Sequence, residues 1–189
     1  MLRLTGDPAA DQLLSEDAFA LLIGMLLDQQ IAMELAFLGP ARLAERLEGP
    51  LDPASVAGTD PDALEAVFRI TPAIHRYPGS MAKRVHALAT HLVEQHDGRA
   101  AAVWEDAVDG ADLKRRLLAL PGYGDQKARI FIALLGKQCG VRPEGWEAAA
   151  GEYAAPGYRS IADVLDEESL QRVRESKQAA KAAARAAKG

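Results

Sequence analysis

The sequence predicts an all-α fold, and three observations support that prediction. Apolar residues recur at helical spacing, and the first such set occupies Phe19, Leu22, Ile23, Leu26 and Leu27. No strand-like alternation of apolar and polar residues persists anywhere in the chain. The 189 residues are 49% hydrophobic and 26% charged, which suits one or two small lobes around a sizeable core.

Residues that typically start or end helices divide the first half of the chain into successive predicted helices. Ser15 is a natural N-cap, and the helix over 18–27 is apolar almost throughout, so we expect it to be central and buried. The continuation over 31–47 is interrupted by Gly39-Pro40, where one helix should end and another begin. Residues 51–69 are typical of two short helices, with Asp60 capping the second.

The second half follows the same pattern after a loop at 70–80. Helices are expected at 81–95, 100–108, 112–120, 125–137 and 146–152, and then from 167 onward. The end, 177–189, is alanine and lysine without an apolar stripe and should be frayed or disordered. We therefore predict a helical domain over 1–170 and a basic, Ala/Lys-rich tail over 171–189, helical or disordered.

The turn between two of these helices is the most informative segment, and it reads Leu120-Pro121-Gly122-Tyr123-Gly124-Asp125-Gln126-Lys127-Ala128. Glycines can take positive φ and leave the backbone uncovered. The amides at the start of the following helix are then unpaired and can donate to a phosphate oxygen. An ordinary helical hairpin with a tight turn is the alternative interpretation.

This segment resembles the helix–hairpin–helix motif of the endonuclease-III-like (HhH-GPD) DNA glycosylase superfamily, with the motif spanning about 112–137. Residues 21–30 are similar to the family's early helix, which ends in a Gln-bearing loop, and 81–85 resemble another family helix. The resemblance covers roughly 15–160. It implies two helical lobes with a DNA-binding cleft between them, the hairpin at its mouth, and double-stranded DNA containing a lesion as partner.

The resemblance also implies roles for the hairpin side chains. In strand-cleaving members a Lys two residues past the second glycine is an amine nucleophile, and here that position is Gln126. Lys127 lies one residue later, about 100° around the helix. We therefore expect a monofunctional glycosylase that uses water. Gly122, Gly124, Lys127 and Arg129 are the expected phosphate contacts.

Counting eighteen residues without gaps from the Lys position to the family's catalytic Asp position reaches Glu144. A carboxylate there would stabilise the positive charge that develops on the sugar when the N-glycosidic bond breaks. Glu144 is therefore the expected catalytic carboxylate, beside Gln126. The alternative is an acid that merely favours a helix N-terminus.

The resemblance places further residues near an extruded base. Gln30 matches a Gln that fills the gap left in the duplex, and the alternative is a solvent-exposed helix end. Gln29, Tyr77 and Trp146 are the candidate base pocket. A core position is the alternative for Trp146, and a solvent-facing loop for Tyr77.

Cofactor expectations are few. Family hairpins commonly bind a monovalent cation through backbone carbonyls, which here are those of Leu118, Leu120 and Tyr123. The single cysteine, Cys139, cannot supply the four thiolates of an iron–sulfur cluster, so no such cluster is expected. The four histidines are too scattered for a closed zinc site.

The charge distribution bears on DNA binding and location. The net charge is −5, divided into −10 over 1–170 and +5 over 171–189, so DNA affinity needs local basic clusters. No apolar run reaches 18 residues and no signal peptide is evident, which favours a cytoplasmic protein without a membrane span. A non-catalytic DNA-binding or damage-sensing protein on a glycosylase fold is the second functional hypothesis, and a helical protein-interaction module is the third.

Overall fold

The computed structural model describes residues 1–186 and is built from helices. Eleven α-helices follow one another within that range. They are α1 (Pro8–Glu16), α2 (Ala18–Leu27), α3 (Met33–Arg46), α4 (Pro53–Gly58), α5 (Pro61–Arg69), α6 (Pro78–His96), α7 (Ala102–Glu105), α8 (Gly110–Ala119), α9 (Asp125–Gln138), α10 (Trp146–Ala150) and α11 (Glu167–Ala186). Short 3₁₀-helices lie at Gly151–Tyr153 and Ile161–Asp163. The predicted all-α class is confirmed.

Aspartate caps fix where many of the helices begin. The side chain of Asp60 accepts hydrogen bonds from the N–H groups of Asp62 and Ala63, and Pro61 follows it at the first helical position. The same device starts four other helices, with the caps Asp7, Asp17, Asp52 and Asp109. Local sequence chemistry therefore determines where these five helices begin.

The helix α2 is the centre of the molecule, as its apolar sequence predicts. Every residue from Phe19 to Leu27 is buried. Gly24 allows the Phe37 ring of α3 to pack directly on the α2 backbone. Because α2 is buried on all sides, its C-terminal end is held rigidly, and the neighbouring loops and the hairpin pack against it.

The helix α3 differs from the prediction, because it continues through Gly39-Pro40 instead of ending there. Pro40 lies inside Met33–Arg46. Gly39 is pressed against the side chains of Leu27 and Ile74, where a Cβ atom would lie 2.5 Å from a Leu27 methyl carbon. Tertiary packing around this glycine therefore holds the helix together across the missing proline N–H.

The helices pack in two groups that share one hydrophobic core. The first contains α2 with α3 and the α4, α5 and α6 set, and the second contains α8, α9 and α10. Buried apolar side chains from both groups belong to one continuous cluster. The polar junction between them lies where the α8–α9 turn faces the end of α2.

The helix α11 continues through the segment that was expected to fray, as far as Ala186, and 187–189 lie outside the described residues. Val173 is buried in the core, and the Lys177 ammonium lies against the Met33 sulfur. Arg174 forms an ion pair with Glu34 of α3. These contacts hold the first half of the helix to the body. None of the helices within 1–186 has the length and apolarity that a membrane span requires.

Candidate functional site

The hairpin turn, residues 120–124, connects α8 and α9 tightly. The N–H of Tyr123 donates to the carbonyl of Leu120 at 3.1 Å, which closes the turn. Gly122 has φ +85°, a conformation that side chains other than glycine rarely adopt. Leu26 of α2 lies directly beneath Gly122, 3.4 Å from the position a Cβ atom would occupy. The turn therefore rests on the end of α2.

Free amides project from the turn. Gly124 is the N-cap of α9, with φ −91° and ψ 177°, and provides no side-chain cap. Within the described part of the chain, no acceptor pairs with the N–H groups of Gly122, Gly124, Asp125 and Gln126. All four residues are exposed. Unpaired N–H groups at a helix N-terminus form a site for an anion such as a phosphate.

Gly124 is a glycine that the fold itself does not require. Its φ is accessible to any residue, and an added Cβ atom would meet no atom of the described residues within 4 Å. Serine or aspartate would cap α9 better than glycine does. A bare backbone at this position is therefore suited to the close approach of a ligand.

Lys127 anchors the hairpin to α2. Its ammonium group donates to the carbonyls of Met25 and Leu26, at 2.6 and 2.7 Å. A cation there satisfies carbonyls that a helix C-terminus leaves unpaired. Burial lowers the pKa of Lys127 to about 8, against a smaller rise caused by the Asp28 charge. The sequence predicted a phosphate contact for Lys127, whereas the structure directs it into the protein.

Tyr123 makes a second link between the hairpin and α2. Its hydroxyl donates to the Leu22 carbonyl at 2.8 Å in a buried position. Burial raises the pKa of this phenol well above its usual value. With Lys127, this bond holds the turn in a fixed place beside the last residues of α2.

The α2 end, residues 28–30, lies beside the turn and contains three polar side chains. Asp28 is half-buried, and burial raises the pKa of its carboxyl above the usual 3.8, against the opposing attraction of Lys177 and Lys127. Gln30 is exposed and has φ +58°, which is uncommon outside glycine. Backbone strain of this kind is typical of functional positions.

Gln29 is held in place by hydrogen bonds to other protein groups. Its amide nitrogen donates to the Leu26 carbonyl at 2.7 Å, and its amide oxygen accepts from Arg84 at 2.8 Å. His75 is buried, and its Nδ1 accepts from the Tyr77 N–H, so its Nε2 donates to the Gln29 carbonyl at 3.0 Å. Burial lowers the pKa of His75 below the usual value, which favours the neutral form of the imidazole.

The other side of the α9 start carries a different set of groups. Gln126 is exposed, and its amide nitrogen donates to the Tyr153 hydroxyl at 2.9 Å. Arg129 stacks over the Tyr153 ring at 5.3 Å and lies 3.5 Å from the Glu152 carboxylate. Gln126 and Lys127 thus point in different directions, as their one-residue separation predicts, and Arg129 is paired with an acid.

The structure does not bring Glu144 to the hairpin turn. Its carbonyl accepts from the N–H of Gly110, which starts α8, and its side chain is exposed. The ten residues of α8 separate this position from the turn by about 15 Å. The chain leaves the turn along α9, and at residue 144 it has not yet returned. The return runs through the helix α10, which advances only about 1.5 Å per residue against about 3.3 Å for an extended chain, so the ungapped count stops too early.

The aromatic residues predicted for a base pocket are also separated. Trp146 packs its ring on Gly136 near the end of α9, far from the turn, in the core-like position that was its alternative. Tyr77 is 42% exposed, with Arg76 over its ring at 5.4 Å. Of the pocket residues, Gln29 alone lies at the α2 end, although Tyr77 is connected to it through His75.

Sequence reasoning missed several residues that long-range packing brings to the turn. These are Asp28 and Lys177 on one side and Glu152 and Tyr153 on the other. The only local signal was at Asp28, an acid directly after an entirely apolar helix. Among the described residues, no group of three or more His, Cys, Asp or Glu side chains is arranged to hold a metal ion.

The comparison with known families identifies the superfamily to which this helix–hairpin–helix chain belongs. The family model described as HhH-GPD superfamily base excision DNA repair protein matches residues 23–188. The chain belongs to this superfamily. It is therefore a base excision DNA repair protein with DNA as its partner, and the matched region includes α11 as well as the hairpin. Comparisons with curated proteins and with solved structures give no match.

Proposed function

We propose that this HhH-GPD protein is a monofunctional DNA glycosylase. It hydrolyses the N-glycosidic bond of a damaged or mispaired base in double-stranded DNA and leaves an abasic site. Family membership supports base excision. The site supports hydrolysis by water, because the position of the family's nucleophilic lysine is Gln126, an amide without nucleophilic character.

The observation that carries the proposal is the uncapped hairpin turn. Among residues 1–186, no acceptor pairs with the first amides of α9 after Gly124, and no atom occupies the space where a side chain at Gly124 would be. One phosphate can accept from two of these N–H groups. The neighbouring acid Asp125 does not repel that phosphate strongly, because Lys114 lies 2.7 Å from its carboxylate and offsets its charge.

The α2 end provides the group that enters the duplex. Gln30 stands beside the turn, exposed, in a conformation that projects it from the surface. Extruding a base costs a few kcal/mol, and a side chain that fills the vacated space offsets part of that cost. Gln29 is oriented by Arg84 and Leu26, which suits a contact to the edge of a base.

Local positive charge compensates for the acidic body. Arg84 and Lys83 are exposed on α6, and Arg84 is paired with the neutral Gln29 and not with an acid. Lys181 and Arg185 are exposed along the last half of α11, four and eight residues after Lys177. Affinity supplied by such contacts should decrease steeply as salt increases.

We assign the monovalent cation that the family resemblance implies to the carbonyls of Leu118, Leu120 and Tyr123. The Leu120 carbonyl already accepts the Tyr123 N–H, and an oxygen with two lone pairs can still bind a cation. Such an ion adds positive charge under the phosphate. DNA affinity measured at constant ionic strength should then be higher in K⁺ than in a bulky organic cation.

A base-release panel tests the proposed activity. The wild-type protein is incubated with duplexes that carry uracil, alkylated, oxidised or mismatched bases, and release of free base is measured. We expect release from at least one duplex, with strand breaks appearing only after alkali. Borohydride should trap no protein–DNA adduct, and a trapped adduct would contradict the monofunctional assignment.

The second candidate function, a non-catalytic damage sensor, is favoured by one observation. The carboxylate predicted for catalysis, Glu144, is exposed and distant from the turn. Binding to the panel without release of any base would establish this function and exclude the glycosylase. Absence of binding at low salt would leave the protein-interaction module.

A further inference from the structure

Asp28 is an acid in an unusual position for a structural residue. It ends the buried helix α2, directly before Gln29 and Gln30, and is half-buried beside the hairpin. Within residues 1–186 no cation lies within 4.0 Å of its carboxylate, although Lys127 and Lys177 are close enough to attract it. Partial burial therefore opposes its negative charge, and no direct ion pair relieves that cost.

The position of Asp28 relative to DNA follows from the contacts of α2. Leu26, two residues earlier, supports Gly122 of the turn, and Lys127 joins the Leu26 carbonyl to the start of α9. When a phosphate of a DNA strand binds the turn amides, an adjacent nucleotide of that strand therefore lies over the α2 end. Gln30, the side chain proposed to fill the space left by an extruded base, follows two residues after Asp28, so both belong to the same short segment.

We propose that Asp28 is the catalytic carboxylate of this protein, acting on the sugar of the extruded nucleotide. This inference rests on the proposed glycosylase function. A negative charge held partly out of water stabilises the cationic sugar more strongly than an exposed charge does. Lys127 and Lys177 are far enough away to leave the carboxylate oxygens free for the substrate and water.

The reaction balances with water as the only co-reactant. The bond between C1′ and the base nitrogen breaks, and its electron pair leaves with the base. Water adds to C1′ and gives one proton to the Asp28 carboxylate, while the base nitrogen takes up a proton from solvent. Asp28 then returns its proton to solvent. The products are a free base and an abasic sugar with a hydroxyl on C1′.

Two other acids provide the comparison. Glu152 lies on the opposite side of the α9 start, is 58% exposed, and is shared between Arg129 at 3.5 Å and Arg159 at 3.9 Å. Glu144 lies at the far end of α8. Neither combines partial burial with free oxygens, so both serve as controls that remove one negative charge outside the α2 end.

The test compares Asp28→Asn with Glu144→Gln and Glu152→Gln in the full chain. The substrate is whichever duplex of the panel the wild-type protein processes, used in single-turnover reactions. We expect Asp28→Asn to slow base release by about 100-fold or more, with DNA affinity within about threefold of wild type. The two Gln variants should release base at rates close to wild type.

A stability measurement separates catalysis from folding. Because Asn removes a charge that burial opposes, Asp28→Asn should melt at the same temperature as wild type or higher at pH 7. Loss of release in a stable, DNA-binding variant supports the proposal. Undiminished release in Asp28→Asn, or its loss in Glu152→Gln alone, overturns it and leaves the glycosylase standing. If the wild type releases no base from any duplex, the proposed function fails and Asp28 has no catalytic role.

Discussion

Replacing Gly124 with serine separates the two uses of a helix N-terminus, stability and ligand binding. The backbone at Gly124 already has N-cap geometry, and an added Cβ atom meets no atom within 4 Å in the part of the chain that the structure describes. The serine hydroxyl should accept from the amides of Gln126 or Lys127, at the second and third positions of α9. Stability should therefore increase by a few tenths of a kcal/mol, about 1 °C in Tm for a chain of this size.

The same substitution should weaken DNA binding. An amide that donates to the serine oxygen no longer donates to phosphate, and a hydrogen bond to a charged group contributes about 1.5–3 kcal/mol. The Kd for an undamaged duplex should then increase by about 10- to 100-fold. Fluorescence anisotropy at fixed low salt measures the Kd, and thermal unfolding measures Tm on the same preparation.

Gly58→Ser is the matched control, because Gly58 also has open space around it and lies at the end of α4, outside the site. It should leave the Kd unchanged. If Gly124→Ser gains stability and binds DNA as tightly as wild type, the turn amides do not hold a phosphate and the reasoning is refuted.

Three further predictions concern the contacts that position the site. Tyr123→Phe removes the 2.8 Å hydrogen bond to the Leu22 carbonyl and should cost about 1 kcal/mol, a fall of about 2–4 °C in Tm; an unchanged Tm would contradict it. Gly110→Ala places a Cβ atom 2.6 Å from the Gly145 carbonyl group and should cost about 1–3 kcal/mol in urea unfolding, whereas a neutral result would show that the loop is not tied to α8. Lys127 has a pKa lowered to about 8 in the folded protein, so the unfolded chain binds more protons between pH 8 and 10.5. Wild-type stability should therefore increase with pH across that window relative to Lys127→Met, and parallel pH profiles would exclude the burial of this charge.

The parts of the fold that the sequence determines locally were predictable. Asp60 with Pro61 marks the start of a helix, and the apolar run of α2 marks a buried one. The glycines at 122 and 124 predicted a tight turn with free amides, because backbone conformation there depends on the residues themselves. Propensity failed at Pro40, where contacts of Gly39 with Leu27 maintain a continuous helix.

The chemistry of the site was less predictable, because it depends on which distant residues meet. Lys127 looks like a surface cation in the sequence, and its contact with Leu26 spans 101 positions of the chain. Glu144 was assigned by counting residues, and a count cannot detect that the returning segment is helical. Asp28 lacks any spacing motif, and its partial burial near Lys127 and Lys177 arises only in the folded chain.

The most direct test of the account is a map of backbone amide chemical shifts on adding an undamaged duplex. We expect the largest changes at Gly122, Gly124, Asp125 and Gln126, with a second set at Gln29 and Gln30, and weaker changes as salt increases. These residues carry the free N–H groups of the turn and the neighbouring α2 end. Changes confined to another face, with the turn amides unmoved at saturating DNA, would contradict the central claim that the bare hairpin backbone holds the DNA strand.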